Sequence, residues 1–122
     1  YQSDFADSLS KIKREFSGSK PNTELKIVKG PMACGAAVIS DFSIVKNWVL
    51  AHSRKNVGLD MESYGVFYAA INSYISRSIP ICIKSISDFA DQKKGDDYQQ
   101  YSAYTSAAFS KELIENRLLF ND

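Results

Sequence analysis

The chain reads as an α/β protein in which helices flank a mostly parallel sheet, and three observations predict it. Helix-spaced apolar stripes alternate with short strand-like runs along the chain, the order that a layered α/β fold requires. The run Ile81-Cys82-Ile83-Lys84-Ser85-Ile86, opened by Pro80, is almost continuously apolar, as a parallel strand covered on both faces would be. With 122 residues, 44% apolar and 24% charged, the chain can build one packed core and is too short for two, so residues 1–122 are expected to form a single domain.

Residues 4–16 open with a helix, because Phe5, Leu9, Ile12 and Phe16 recur at helical intervals. Ser3 or Asp4 can cap its start and Gly18 can end it. A polar loop with Gly18 and Pro21 leads to residues 25–29, whose apolar and basic side chains alternate as in a strand. Residues 30–39 are apolar and small, so their backbone can approach another strand or a flat ligand closely. Asp41 can cap a helix that runs to about residue 53, with Ile44, Val45, Trp48 and Val49 inward. A short strand at 57–61 passes directly into a helix from about 62 to 76, whose inner arc is Tyr64, Phe67, Tyr68, Ile71 and Ile75. The buried strand at 81–86 follows, then a polar, solvated loop at 88–97. A last helix over about 98–119, capped by Asp96 or Asp97, carries Tyr101, Thr105, Ala108, Phe109, Leu113 and Leu118 on its stripe.

The charge balance removes several function classes. Fifteen Lys and Arg against 14 Asp and Glu give a net charge of +1, which offers no attraction to nucleic acid or to a membrane surface. No apolar run approaches the ~20 residues of a membrane-spanning helix, and no segment has the pattern of a secretion signal. A cytoplasmic location is expected. Cys34 and Cys82 lie in apolar stretches and read as buried, reduced thiols. Two cysteines and the single His52 are too few for a metal site, so neither metal nor cofactor is expected. Tyr1 is not an initiator Met, and the opening reads as part of something longer.

Ligands of parallel sheets bind at the carboxyl ends of strands. Two acidic groups fall where such ends are predicted: Asp60-Met61-Glu62 and Ser87-Asp88. The longer stretches Asp60-Met61-Glu62-Ser63-Tyr64-Gly65 and Ile86-Ser87-Asp88-Phe89-Ala90-Asp91 resemble the paired motifs of the purine nucleoside phosphorylase/uridine phosphorylase superfamily. That superfamily places a Met-Glu at a strand-to-helix junction and a Ser-Asp after the next strand. Ile-Ser-Asp-Phe-Ala-Asp is most similar to methylthioadenosine/S-adenosylhomocysteine nucleosidases and to related purine nucleosidase domains attached to signalling and immune-type proteins. Residues 93–108 favour the latter group, and residues 30–39 resemble the segment that lines the base pocket. The resemblance spans about residues 24–119 and rests on the order, spacing and placement of motifs that are each short. It implies a partial phosphorylase/hydrolase-like three-layer fold, the C-terminal half of a nucleoside phosphorylase-like domain, and cleavage of the N-glycosidic bond of a purine nucleoside.

The residue types suit that chemistry. A purine leaves more easily when a ring nitrogen is protonated as the bond to the sugar breaks, which calls for a positioned acid. A carboxyl group serves near neutral pH only if burial raises its pKa above ~4. By resemblance Asp88 is the acid at purine N7 and Ser87 holds it; as a residue alone, Asp88 better suits a turn cap. The sugar gains oxocarbenium character, and a carboxylate on the ribose hydroxyls both orients it and opposes the growing positive charge. Glu62 matches the residue with that role, and Met61 the one that packs its thioether on the nucleoside. Their plainer readings are a first-turn residue favoured by the helix dipole and a core side chain.

Three positions depart from the family pattern. Asp60 stands where the nucleosidases commonly carry Glu. Val38 stands where they usually carry an aromatic, giving up stacking worth ~1 kcal/mol. Val38 and Ile39 match the positions that flank the base. Lys84 stands where the family often has Arg; it either pairs with Glu62 or Asp60 as a supporting charge, or reaches solvent from a strand end.

The family's Gly-rich phosphate segment and water-activating carboxylate have no counterpart before residue 24. These residues therefore do not separate hydrolysis from phosphorolysis, although the Ser-Asp neighbourhood points to hydrolysis by resemblance. The polypeptide alone is expected to be inactive, and to self-associate through its open sheet edge, in a family that is usually oligomeric. A nucleoside-sensing module that binds without turnover is the competing class.

Overall fold

The computed structural model describes residues 5–34, 43, 47, 55–74, 79–87 and 98–118. The chain divides into two compact units, one of Tyr1–Ile27, Ile83–Phe89 and Gly95–Asp122, the other of Val28–Cys82 and Ala90–Lys94.

The first unit is built on two helices. Helix α1, Ala6–Glu15, buries Leu9 and Ile12, and Phe5 is buried at its N-cap position. Asp7 lies in its first turn and Lys13 and Arg14 in its last, each on the favourable side of the helix dipole. The predicted caps Ser3 and Asp4 lie outside the described residues, and Phe5 makes no side-chain cap bond. The helix ends earlier than Gly18: Phe16 is already extended. Lys20 turns back and donates to the carbonyls of Phe16, Lys13 and Arg14 at 2.8, 3.1 and 3.4 Å. Those carbonyls have no intrahelical partner, and an ammonium at this end also complements the dipole.

The second helix of this unit, Gln99–Leu113, runs on into a π-helical turn, Ile114–Leu118. It buries Tyr101, Ser102 and Thr105, three positions of one stripe. Phe5 meets Phe109 edge-on at 5.4 Å, and Phe16 lies 5.4 Å from Tyr101 and 5.1 Å from Tyr104. Ser8 Oγ donates to Glu112 Oε1 at 2.9 Å. The buried hydroxyls hold the stretch before the helix: Ser102 donates to the Ile86 carbonyl at 2.9 Å and Ser85 pairs with Thr105 at 2.8 Å.

Two expected strands are absent, from this stretch and from residues 25–29. Residues 79–87 carry no ladder, and Ile81 and Ile86 are 59% and 53% exposed. An apolar run becomes a covered strand only when neighbours pair both its edges. Here side-chain hydroxyls take the place of a ladder at residues 85–86. Along residues 24–28 the alternation survives as burial, Leu25 and Ile27 half-buried and their neighbours exposed, without a partner strand among the described residues.

The second unit holds the sheet. Strands β1, Met32–Cys34, and β2, Gly58–Asp60, run parallel with Met32, Ala33 and Cys34 opposite Gly58, Leu59 and Asp60. The Val57 amide donates to the Pro31 carbonyl at 2.9 Å just before the ladder begins. Gly30 makes this entry possible: a Cβ there would stand 2.5 Å from Val57 Cγ1. Helix α2, Ser63–Ile71, follows β2 after two residues; with it numbered so, the helix Gln99–Leu113 is α3. Asn72 closes α2, both its amide and its side chain donating to the Tyr68 carbonyl.

The expected inner arc of α2 is covered only in part, at the half-buried Phe67. Tyr64, Tyr68 and Ile71 are 65%, 58% and 74% exposed, and Ile75 lies outside the described residues. Two strands of three residues offer too small a face to cover two turns of helix. The helix expected between Asp41 and residue 53 also lies largely outside the described residues. Helices together with a small parallel strand pair make the chain a mixed α/β structure. No helix among the described residues is long and apolar enough to cross a membrane.

Candidate functional site at the strand-helix corner

β1 and β2 end level, with Cys34 beside Asp60. The carboxyl end of a parallel pair is where this class of sheet presents ligand groups. From there β2 passes through Met61 and Glu62 straight into α2.

The corner is fixed by groups that answer the first amides of α2. These amides have no partner within the helix and need acceptors. Asp60, only 7% exposed, accepts the Ser63 amide on Oδ2 at 2.5 Å. Cys34 Sγ accepts the Tyr64 amide at 3.1 Å, and the Cys34 thiol donates to Asp60 Oδ2 at 3.7 Å. Ser63 Oγ lies 2.9 Å from Cys82 Sγ. The end of β1, the end of β2 and the first turn of α2 are thus joined through one carboxylate and one sulfur.

With Asp60 turned inward as the acceptor, the next two side chains face outward. Met61 is 45% exposed, and Glu62 is exposed at the N-cap position of α2 without a side-chain cap bond. Glu62 makes no side-chain cap bond at the start of α2. The Asp60 carboxylate makes one instead.

The structure brings Asp60, Met61 and Glu62 together at this corner. Ser87 and Lys84 belong to the first unit and are exposed; Lys84 does not lie in a covered strand. Asp88, Val38 and Ile39 lie outside the described residues, as does His52. Sequence reasoning missed three members of the corner: Cys34, Cys82 and Ser63. Both cysteines are free, but Cys34 is exposed and Cys82 half-buried, not the buried thiols expected. The signal was Cys34's place at the end of a small-residue strand, level with an acidic strand end. No group of three or more His, Cys, Asp or Glu side chains suited to a metal occurs among the described residues.

The fold and corner define a mixed α/β chain whose acidic strand end leads directly into a helix. No family model and no solved structure matches it. The chain is similar to the uncharacterized protein y4jS of Sinorhizobium fredii (strain NBRC 101917 / NGR234), with 31% identity over 102 residues. That match covers 84% of this chain and 24% of y4jS, so the chain spans about a quarter of the length of the curated relative it matches.

Proposed function

We propose that this chain is the C-terminal half of a nucleoside phosphorylase-like domain, with a three-layer phosphorylase/hydrolase-like fold, in a protein that hydrolyses purine nucleosides. The supporting observation is the corner itself: Met61 and Glu62 are exposed side by side at the carboxyl end of a parallel strand. A carboxylate so placed can accept the ribose hydroxyls and stand close to the positive charge that grows on the sugar. Met61 offers a polarizable surface to the nucleoside. In this reading Asp88 protonates purine N7, Ser87 holds Asp88, and Val38 and Ile39 flank the base. Asp60 supports the site by fixing the corner, and Lys84 is the supporting cation of this reading. The protein is cytoplasmic and works without metal or cofactor, as a homo-oligomer whose copies cover the open sheet edge.

The test is release of free purine from adenosine-type nucleosides, measured on the chain and on any longer protein that contains it, with Asp88→Asn alongside. Release that Asp88→Asn abolishes supports the reading. Undiminished release in Asp88→Asn removes the acid from Asp88. Tight nucleoside binding without release transfers the site to a sensor, and release that requires phosphate makes the reaction phosphorolysis.

A further inference from the structure

The corner holds a second chemistry that the proposed nucleoside reaction does not use. Both cysteines of the chain lie in the second unit, and both sulfurs touch the first turn of α2. Cys34 Sγ takes the Tyr64 amide at 3.1 Å, and Cys82 Sγ pairs with Ser63 Oγ at 2.9 Å. The two thiols thus engage consecutive residues, although a long stretch of chain separates them. Cys34 is exposed and open to a small reagent, while Cys82 is half-buried. Two thiols held at one helical turn are suited to two-electron sulfur chemistry.

We infer that Cys34 and Cys82 form a thiol pair that a hydroperoxide oxidises to a disulfide across the first turn of α2. Cys34, as the thiolate, attacks the peroxide; an S–O bond forms, the O–O bond breaks, and the departing alkoxide or hydroxide takes up the thiol proton. Cys34 is then a sulfenic acid, two electrons oxidised, and the peroxide is reduced to an alcohol or water. Cys82 attacks the Cys34 sulfur next; the S–S bond forms, the S–O bond breaks, and hydroxide leaves with the Cys82 proton as water. The Asp60 carboxylate, already an acceptor for the Cys34 thiol, orients that sulfur in the reduced state. Closure removes the thiol donor from Asp60 and the Ser63 contact from Cys82, so oxidation disturbs the corner that carries Met61 and Glu62. The pair is thereby a redox control on that corner, whatever ligand the corner takes.

The experiment treats the fully reduced chain with stoichiometric hydrogen peroxide, followed by free-thiol titration, intact mass and peptide mapping. Free thiols are expected to fall from two per chain to none. One Cys34–Cys82 peptide pair should appear, and dithiothreitol should reverse it. In concentrated urea closure should slow by about tenfold or more, because an unfolded loop brings its ends together only rarely. In Cys82→Ser, a sulfenic acid trappable by dimedone should accumulate at Cys34; Cys34→Ser should leave Cys82 reduced. Disulfide-linked dimers, a sulfinate on Cys34 beside a free Cys82, or closure as fast in urea as in buffer would each overturn the pairing. The wild-type result stands by itself if either serine variant does not fold.

Discussion

The amide of Ser63 donates to Asp60 Oδ2 at 2.5 Å, so the carboxylate that ends β2 also caps the first turn of α2. One side chain therefore sets both the end of a strand and the start of a helix. The exposed pair Met61 and Glu62 is carried between them.

Asp60→Ala is expected to destabilise the chain by about 1–2 kcal/mol, the usual cost of a lost cap with a helix amide left short of an acceptor. Asp60→Asn keeps a carbonyl oxygen for the amide and should recover most of that loss. Urea unfolding reads both as shifts of midpoint at constant slope. Wild-type stability in Asp60→Ala would remove the capping role. An equal loss in both variants would assign the effect to the carboxylate's charge.

Gly30→Ala should cost about 1–3 kcal/mol, because its Cβ would stand 2.5 Å from Val57 Cγ1 and a β-branched side chain has little room to yield. Adding Val57→Ala opens the space, so the double variant should lose less than the two single losses combined. Strictly additive losses would show that the two residues do not crowd each other at the entrance to the sheet.

Tyr101 ties the stability of the first unit to alkaline pH. Burial raises its phenol above the usual value of 10.0 by disfavouring the charged form. The folded chain thus keeps this proton at a pH where the unfolded chain has lost it. The stability linked to Tyr101 is complete below pH 10.0 and declines as pH rises through that value toward the folded one. Its hydroxyl is buried without a hydrogen-bond partner among the described residues. Tyr101→Phe should accordingly keep or slightly raise stability near neutral pH and remove part of the alkaline decline. Thermal melts of both proteins across that range compare the slopes; parallel curves would show that the phenol titrates alike in both states.

The α1 and α3 cores were legible because each helix carries its own period: Leu9 and Ile12 on one, Tyr101 and Thr105 on the other. β2 and its direct passage into α2 were legible from the strand-like run ending in Asp60-Met61-Glu62. The stretch 81–86 was misread because a continuous apolar run states a wish for cover without naming a partner. Its neighbours turned out to be the hydroxyls of Ser102 and Thr105, which sit on a helix with no visible link to it in sequence. The same holds for Lys20, whose place at the end of α1 depends on the path of a loop. At the corner, the acidic residues could be seen in the chain but their division of labour could not. Which of Asp60 and Glu62 turns inward depends on the level ending of β1 and β2, a relation between residues far apart in sequence.

That division of labour gives a last prediction for Glu62. Its side chain is exposed, so Glu62→Gln should change stability by no more than about 0.5 kcal/mol. If the carboxylate opposes charge growing on the ribose, purine release should nevertheless fall by about 10²–10³. The fall should lie in kcat with KM little changed, since the charge it answers develops only on the way to the transition state. Asp60→Ala should behave in the opposite sense, losing stability first and activity only as the fold weakens. Urea titration and steady-state purine release on the same two variants separate the roles. A Glu62→Gln protein that unfolds as early as Asp60→Ala would make Glu62 a structural residue, and unaltered release in a stable Glu62→Gln would take the ribose away from this corner.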